Sequence, residues 1–133
     1  MIVGLSAATL QGAPVVTQDV DLWFENLGES EMLAALREVD AAYVPPSVIN
    51  PPMLVGEGAE LFDIVLRMDG LGIFADELKN CVEIPVGRYK LQVLALDRII
   101  ASKKAANRTK DKLTIPVLED ALVARQSVRK GKR

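Results

Sequence analysis

The stretch Asp19-Val20-Asp21-Leu22-Trp23-Phe24 decides how the chain is read. It follows Pro14-Val15-Val16-Thr17 and concentrates β-branched and aromatic residues, so it is expected to be a strand. Strand side chains alternate between faces, which points Asp19 and Asp21 the same way, about 7 Å apart, with Val20 and Leu22 opposite. One face is then apolar and the other presents two carboxylates. Alone, the pair fits either a half-buried strand with a solvated face or the ligands of an oxygen-preferring ion such as magnesium. That ion commonly binds one or two carboxylates and lets substrate phosphates complete its shell.

A second extended segment bears on that choice. Glu60-Leu61-Phe62-Asp63-Ile64-Val65-Leu66 reads as a strand, and Asp63 stands between Phe62 and Ile64, a costly place for an isolated charge. If the two strands are neighbours, three carboxylates converge, and their repulsion is relieved by the divalent ions that make two-metal phosphoryl chemistry possible. The alternative is an edge-strand acid facing water. Lys103 is the next candidate: Leu96, Ile99, Ile100 and Lys103 share one helical face, so an apolar stripe ends in a lysine. Its ammonium either snorkels to solvent or meets phosphate oxygens. Arg108, Lys110 and Asp111 follow directly, as part of such a site or as a charged turn between helices.

Working outward, Ile2-Val3 is expected to end a short strand, Gly4 to turn, and residues 6–11 to form a short helix with Ser6 at its cap and Gly12-Ala13-Pro14 as its stop. Met32, Leu33, Leu36 and Val39 mark an amphipathic helix over 29–39. Residues 43–58 hold four prolines and two glycines, which predicts a long connection with a short edge strand at 53–55. Residues 73–80 read as a short helix, 83–93 as strand around a turn at 85–87, and 96–106 and 111–126 as helices. The basic tail, 125–133, has little to bury and is expected to fray.

Composition narrows the chemistry. At 133 residues the chain fits one domain that buries roughly two thirds of its unfolded surface. No apolar run approaches the ~20 residues of a membrane span, and no secretory signal is legible at the start, so a cytoplasmic protein is expected. There is no histidine and one cysteine, Cys81, which excludes imidazole-based catalysis, a cysteine/histidine zinc site and an internal disulfide. Residues 1–87 carry 3 basic and 14 acidic side chains, a balance of −11, whereas 88–133 carry 13 and 4, a balance of +9. An acidic half concentrates cations and a basic half attracts phosphates, or the two are simply solvated surfaces that attract each other.

Val3-Gly4-Leu5-Ser6-Ala7-Ala8, then Gly12-Ala13-Pro14, Thr17 and Asp19-Val20-Asp21-Leu22, together resemble the opening of the nucleotidyltransferase superfamily. The run from Leu96 to Asp111 is similar to the lysine-containing helical motif of its abortive-infection and toxin-type branch. The resemblance implies an α/β (α+β) fold: a small mixed sheet with helices packed on it and a helical C-terminal segment, as one domain. It implies that Asp19, Asp21 and Asp63 are catalytic and hold two magnesium ions, that Gly4 and Ser6 belong to the phosphate-holding turn, and that Lys103 steadies the triphosphate. Asp111 is a lesser, acceptor-side candidate. Leu5, where a second glycine or serine is usual, and Val15 or Val16, where arginine is common, depart from the pattern and weaken the phosphate site. The chain starts almost inside its first strand, which leaves a sheet edge open or used in a homodimer.

Two functional expectations follow. One is transfer of a nucleoside monophosphate from a nucleoside triphosphate to an unidentified hydroxyl on RNA, protein or a small molecule such as an aminoglycoside. The other is a binding or regulatory module that keeps the fold with weakened catalysis, partnered with a second protein in a toxin–antitoxin or defence pair.

Overall fold

The computed structural model describes residues 1–131. Ile2–Val3 (β1) leads straight into the helix Gly4–Leu10 (α1), and Val20–Trp23 (β2) returns antiparallel to β1, pairing Val3 with Asp21. The helix Ser30–Glu38 (α2) and the hairpin of Ala42–Val44 (β3) and Met53–Val55 (β4) come next, then Phe62–Val65 (β5), parallel to β2. A short helical stretch over Phe74–Glu77 (α3) precedes the hairpin Cys81–Val86 (β6) and Tyr89–Leu94 (β7). Leu96–Ala106 (α4) and Thr109–Gly131 (α5) complete the described chain. The five-stranded mixed sheet runs β5-β2-β1-β7-β6, and β3-β4 forms a separate two-stranded sheet.

Both extended segments singled out in the sequence are therefore strands, and they are neighbours. β1 lies in the middle of the sheet, not at an open edge as expected: it pairs with β2 on one side and, in parallel, with β7 on the other. The terminal ammonium continues the ladder by donating to Trp23 O at 2.8 Å. The open edges belong to β5 and β6.

The core lies between the sheet and α1, α4 and α5, built from Val3, Ala7, Ala8, Trp23, Val93, Leu94, Leu96, Ile99, Ile100 and Leu118. Ala7 and Ala8 leave no side chain to hold α1 away from the sheet. Gln11, buried with its amide, donates to Leu94 O and Ala7 O and accepts from the Leu96 N–H, so it joins the end of α1 to the start of α4. The predicted stripe on α4 is confirmed at Leu96, Ile99 and Ile100, all buried. The basic segment expected to fray from Arg125 continues α5 as far as Gly131, and residues 132–133 lie outside the described residues. Pro116 sits within α5 and leaves the Lys112 carbonyl without its helical donor.

The connection from β5 to α3 carries Arg67, Met68 and Asp69 and is anchored by one buried acid. Glu77 accepts from Arg98 Nε and Nη2, each at 2.8 Å, from the Gly72 N–H at 2.9 Å and from Asn80 Nδ2 at 3.1 Å. The Arg98 fork, opposed by burial, holds the Glu77 carboxyl down to about 2 from an ordinary 4.5. A depressed carboxyl contributes stability that is complete above its unfolded value and is lost as pH falls through its folded one. Glu77→Gln is therefore expected to lower unfolding free energy by about 2 kcal/mol at pH 7. In urea titrations the gap between variant and parent should close as pH falls from 4.5 to about 2.

Candidate functional site

Asp21 stands on β2 directly opposite Asp63 on β5 in the parallel register, so both carboxylates leave the same face of the sheet. Asp19 lies two residues before Asp21, just ahead of the strand, and faces solvent. Burial raises the Asp21 pKa above the usual carboxylate value, and the negative charges of Asp63 and then Asp19 add to it. Lys103 and Lys110 act in the opposite direction. Among the described residues no salt bridge engages Asp19, Asp21 or Asp63, so the three form a negative cluster with cations nearby but not paired to it.

Beside this cluster a cleft of about 500 Å³ opens between β2, α1 and the α4–α5 turn. Asp19 and Asp21 line it together with Lys103, Arg108 and Lys110, and Gly4 and Leu5 line it too. Gly4 has a φ of +66°, and a Cβ there would fall inside the Asp21 carboxylate. Glycine is thus required twice, for its left-handed backbone and for the close approach of the acid. Ser6 behaves differently from expectation. The residue capping α1 is Val3, and the buried Ser6 hydroxyl donates to Val3 O at 2.8 Å and accepts from the Asp21 N–H at 3.2 Å. It ties α1 to β2 and fixes the backbone of Asp21 instead of lining the cleft.

Lys103 reaches the cleft, with its side chain only 14% exposed. It is held by Asp111, which is fully buried and accepts from Lys103 Nζ at 3.4 Å, from Arg108 Nε at 2.7 Å and from Arg108 Nη2 at 3.2 Å. The same carboxylate accepts from the Arg108 backbone N–H at 3.1 Å, where α5 begins. That bond satisfies one of the orphan donors of a helix N-terminus. These bonds, the Arg108 side chain foremost, hold the Asp111 carboxyl below its usual range. Asp111 thus serves as the anchor of two cleft cations and not as an exposed acceptor-side group.

Arg67 was not singled out in the sequence, yet it lines this cleft and also an adjoining one of about 610 Å³ walled by Trp23, Phe24 and Phe74. Its signal was its rarity, as one of three cations in residues 1–87. Asp63 opens onto neither cleft; it lines a smaller groove at the free edge of β5. Among the described residues no three acidic or cysteine side chains gather closely enough to hold a metal by themselves. The donor set is nonetheless all carboxylate oxygen, suited to magnesium or manganese, and a metal here would complete its shell with substrate phosphates. Among the described residues no helix is long and apolar enough to cross a membrane.

No protein-family profile matches the chain, and no curated protein matches it in sequence. Among solved structures, it is similar to ANT(2")-Ia, a nucleotidyltransferase determined in complex with adenylyl-2"-tobramycin. The TM-score is 0.56 at 17% identity, over 99% of this chain and 87% of that one. At that identity the likeness is one of architecture: the chain has the mixed α/β fold of a nucleotidyltransferase.

Proposed function

We propose that the chain is a magnesium-dependent nucleotidyltransferase that moves a nucleoside monophosphate from a nucleoside triphosphate onto a hydroxyl acceptor. The observation that carries this reading is the register of Asp21 against Asp63, with Asp21 lining a cleft that Lys103, Arg108 and Lys110 also line. An acidic pair without its own counter-charge next to three phosphate-compatible cations suits a triphosphate with its metal better than either suits a structural role.

In this reading Asp19 and Asp21 hold magnesium, with Asp63 available to a second ion. Magnesium, when bound, screens the triphosphate and stabilises charge developing on the departing pyrophosphate. Lys103, fixed by Asp111, and Arg108 meet the phosphate oxygens, while Gly4 allows the nucleotide and the Asp21 carboxylate to share a narrow space. Asp63 takes the proton of the acceptor hydroxyl, and the oxygen so exposed attacks the α-phosphorus in line with the leaving pyrophosphate.

A second reading, a binding or regulatory module partnered with another protein, draws on one observation: Leu5, an apolar side chain, lines the same cleft as the cations. Turnover separates the two readings. The enzyme releases pyrophosphate with magnesium and a suitable acceptor, whereas the module binds nucleotide without releasing it.

Isothermal titration with each nucleoside triphosphate in magnesium is expected to give saturable binding by the parent. Asp21→Ala is expected to lose at least tenfold in affinity, and no binding by the parent at millimolar nucleotide removes both readings. Gly4→Ala is expected to lose about 1–2 kcal/mol of stability from its left-handed backbone. Because its methyl displaces the Asp21 carboxylate, it should also lose magnesium-dependent affinity beyond what the stability loss explains; unchanged affinity in a folded Gly4→Ala protein contradicts the assignment.

A further inference from the structure

The cationic cleft is bordered by a second space. The cleft of about 610 Å³ at the C-terminal ends of β2 and β5 shares Arg67, Met68 and Asp69 with it, so the two adjoin along this segment. Arg67 is exposed there, and among the described residues no salt bridge engages it. The chain that follows is held in place. Gly70 has a φ of 72° and lies against α4, where a Cβ on it would fall 2.5 Å from that of Ala105. Two residues on, Glu77 accepts from the Gly72 N–H at 2.9 Å.

The two spaces are chemically unlike. The first is lined by Lys103, Arg108 and Lys110, whereas the second is lined by Phe24, Phe74, Leu66 and Ile73. Phe74 packs edge-on against the buried Trp23, ring centroids 5.9 Å apart, which fixes its ring. Leu66 and Ile73 are 60% and 68% exposed, apolar surface with nothing over it. The volume falls within the range of small-molecule sites. Neither Asp21 nor Asp63 lines this space, so its occupant is not the hydroxyl whose proton the acid pair takes. An uncharged, flat group joined to the phosphates fits it: the base of the same nucleotide, its faces against aromatic and aliphatic side chains. The acids that line it, Glu25 and Asp69, are exposed carboxylates that only accept hydrogen bonds.

We infer that this aromatic cleft selects the nucleotide, and that it takes a purine whose amino group faces the Glu25 or Asp69 carboxylate, with Arg67 on the phosphate nearest the nucleoside. The inference rests on the nucleotidyltransferase reading above and adds the class of its nucleotide. Two fused rings cover more of the apolar wall than one, which sets purines above pyrimidines. An acceptor-only rim calls for donors on the base edge. Adenine offers its amino group there, and guanine offers an amino group beside a ring N–H, so the two purines share this chemistry.

The test is amide NMR of the full chain in magnesium, titrated with inorganic tripolyphosphate and with the α,β-methylene analogues of the four nucleoside triphosphates. All five are expected to shift Gly4 and Lys103, and only the purine analogues to shift residues 70–75, with affinities about tenfold or more above those of the pyrimidine analogues. The tighter purine identifies the base as adenine or guanine. Glu25→Gln, at an exposed position, and Phe24→Leu are each expected to weaken the purine analogues about threefold or more and to leave tripolyphosphate binding unchanged. Equal affinity for all four bases, purine binding without shifts at 70–75, or purine affinity that survives both substitutions overturns the proposal. Absence of shifts at Gly4 and Lys103 with every probe instead overturns the reading beneath it.

Discussion

Two carboxylates on adjacent parallel strands, with no cation paired to either, are the constraint around which this molecule is arranged. Strands in a sheet lie about 4.8 Å apart, so Asp21 and Asp63 repel each other with an energy on the order of 1 kcal/mol even with solvent nearby. Burial of Asp21 makes the charge harder still to keep. The fold fixes the Asp21 backbone through Ser6 and leaves room for its side chain by placing glycine at position 4, while Asp63 faces solvent on the edge strand.

The cations that line the cleft are in turn held by a charge of the other sign. Lys103 and Arg108 would repel one another across a short turn, and the buried Asp111 holds both while capping the start of α5. The Asn107 backbone, left-handed with a φ of 53°, makes that turn tight enough for α4 and α5 to pack side by side. The cleft thus brings Asp19 and Asp21, which no salt bridge engages among the described residues, together with Lys103 and Arg108, which share the single carboxylate of Asp111. Electrostatic preorganisation of this kind supplies most of what phosphoryl-transfer chemistry asks of a protein.

Much of this was legible in the sequence, and what was not had a physical reason. Alternation within 19–24 and the acid inside 60–66 located the strands, because hydrophobic period is a local property. The 3.6-residue stripe placed Lys103 at the inner end of α4 for the same reason. That β1 is central, that β3 and β4 leave the main sheet, and that Asp63 opens onto a groove of its own depend on long-range pairing, which no local pattern encodes. The resemblance placed Ser6 in a phosphate-holding turn and gave Asp111 a lesser acceptor-side role, whereas their hydrogen bonds, which tie Ser6 to Val3 and Asp21 and tie Asp111 to Arg108, are encoded in no local pattern. The residues from 125 to 131 were expected to fray because they bury little, whereas helix propagation from α5 through Arg, Gln, Val and Lys needs only local bonds.

On the proposed function, the Asp21–Asp63 pair is held in the fold for a cation to occupy. Thermal unfolding of the parent and of Asp63→Asn, with chelator and with millimolar manganese, probes that occupancy. Without metal the variant should melt at or above the parent, since one like charge is gone. Manganese should raise the parent's midpoint by about 3 °C or more and the variant's much less. A variant that melts well below the parent in chelator, or a manganese shift of equal size in both proteins, contradicts the claim.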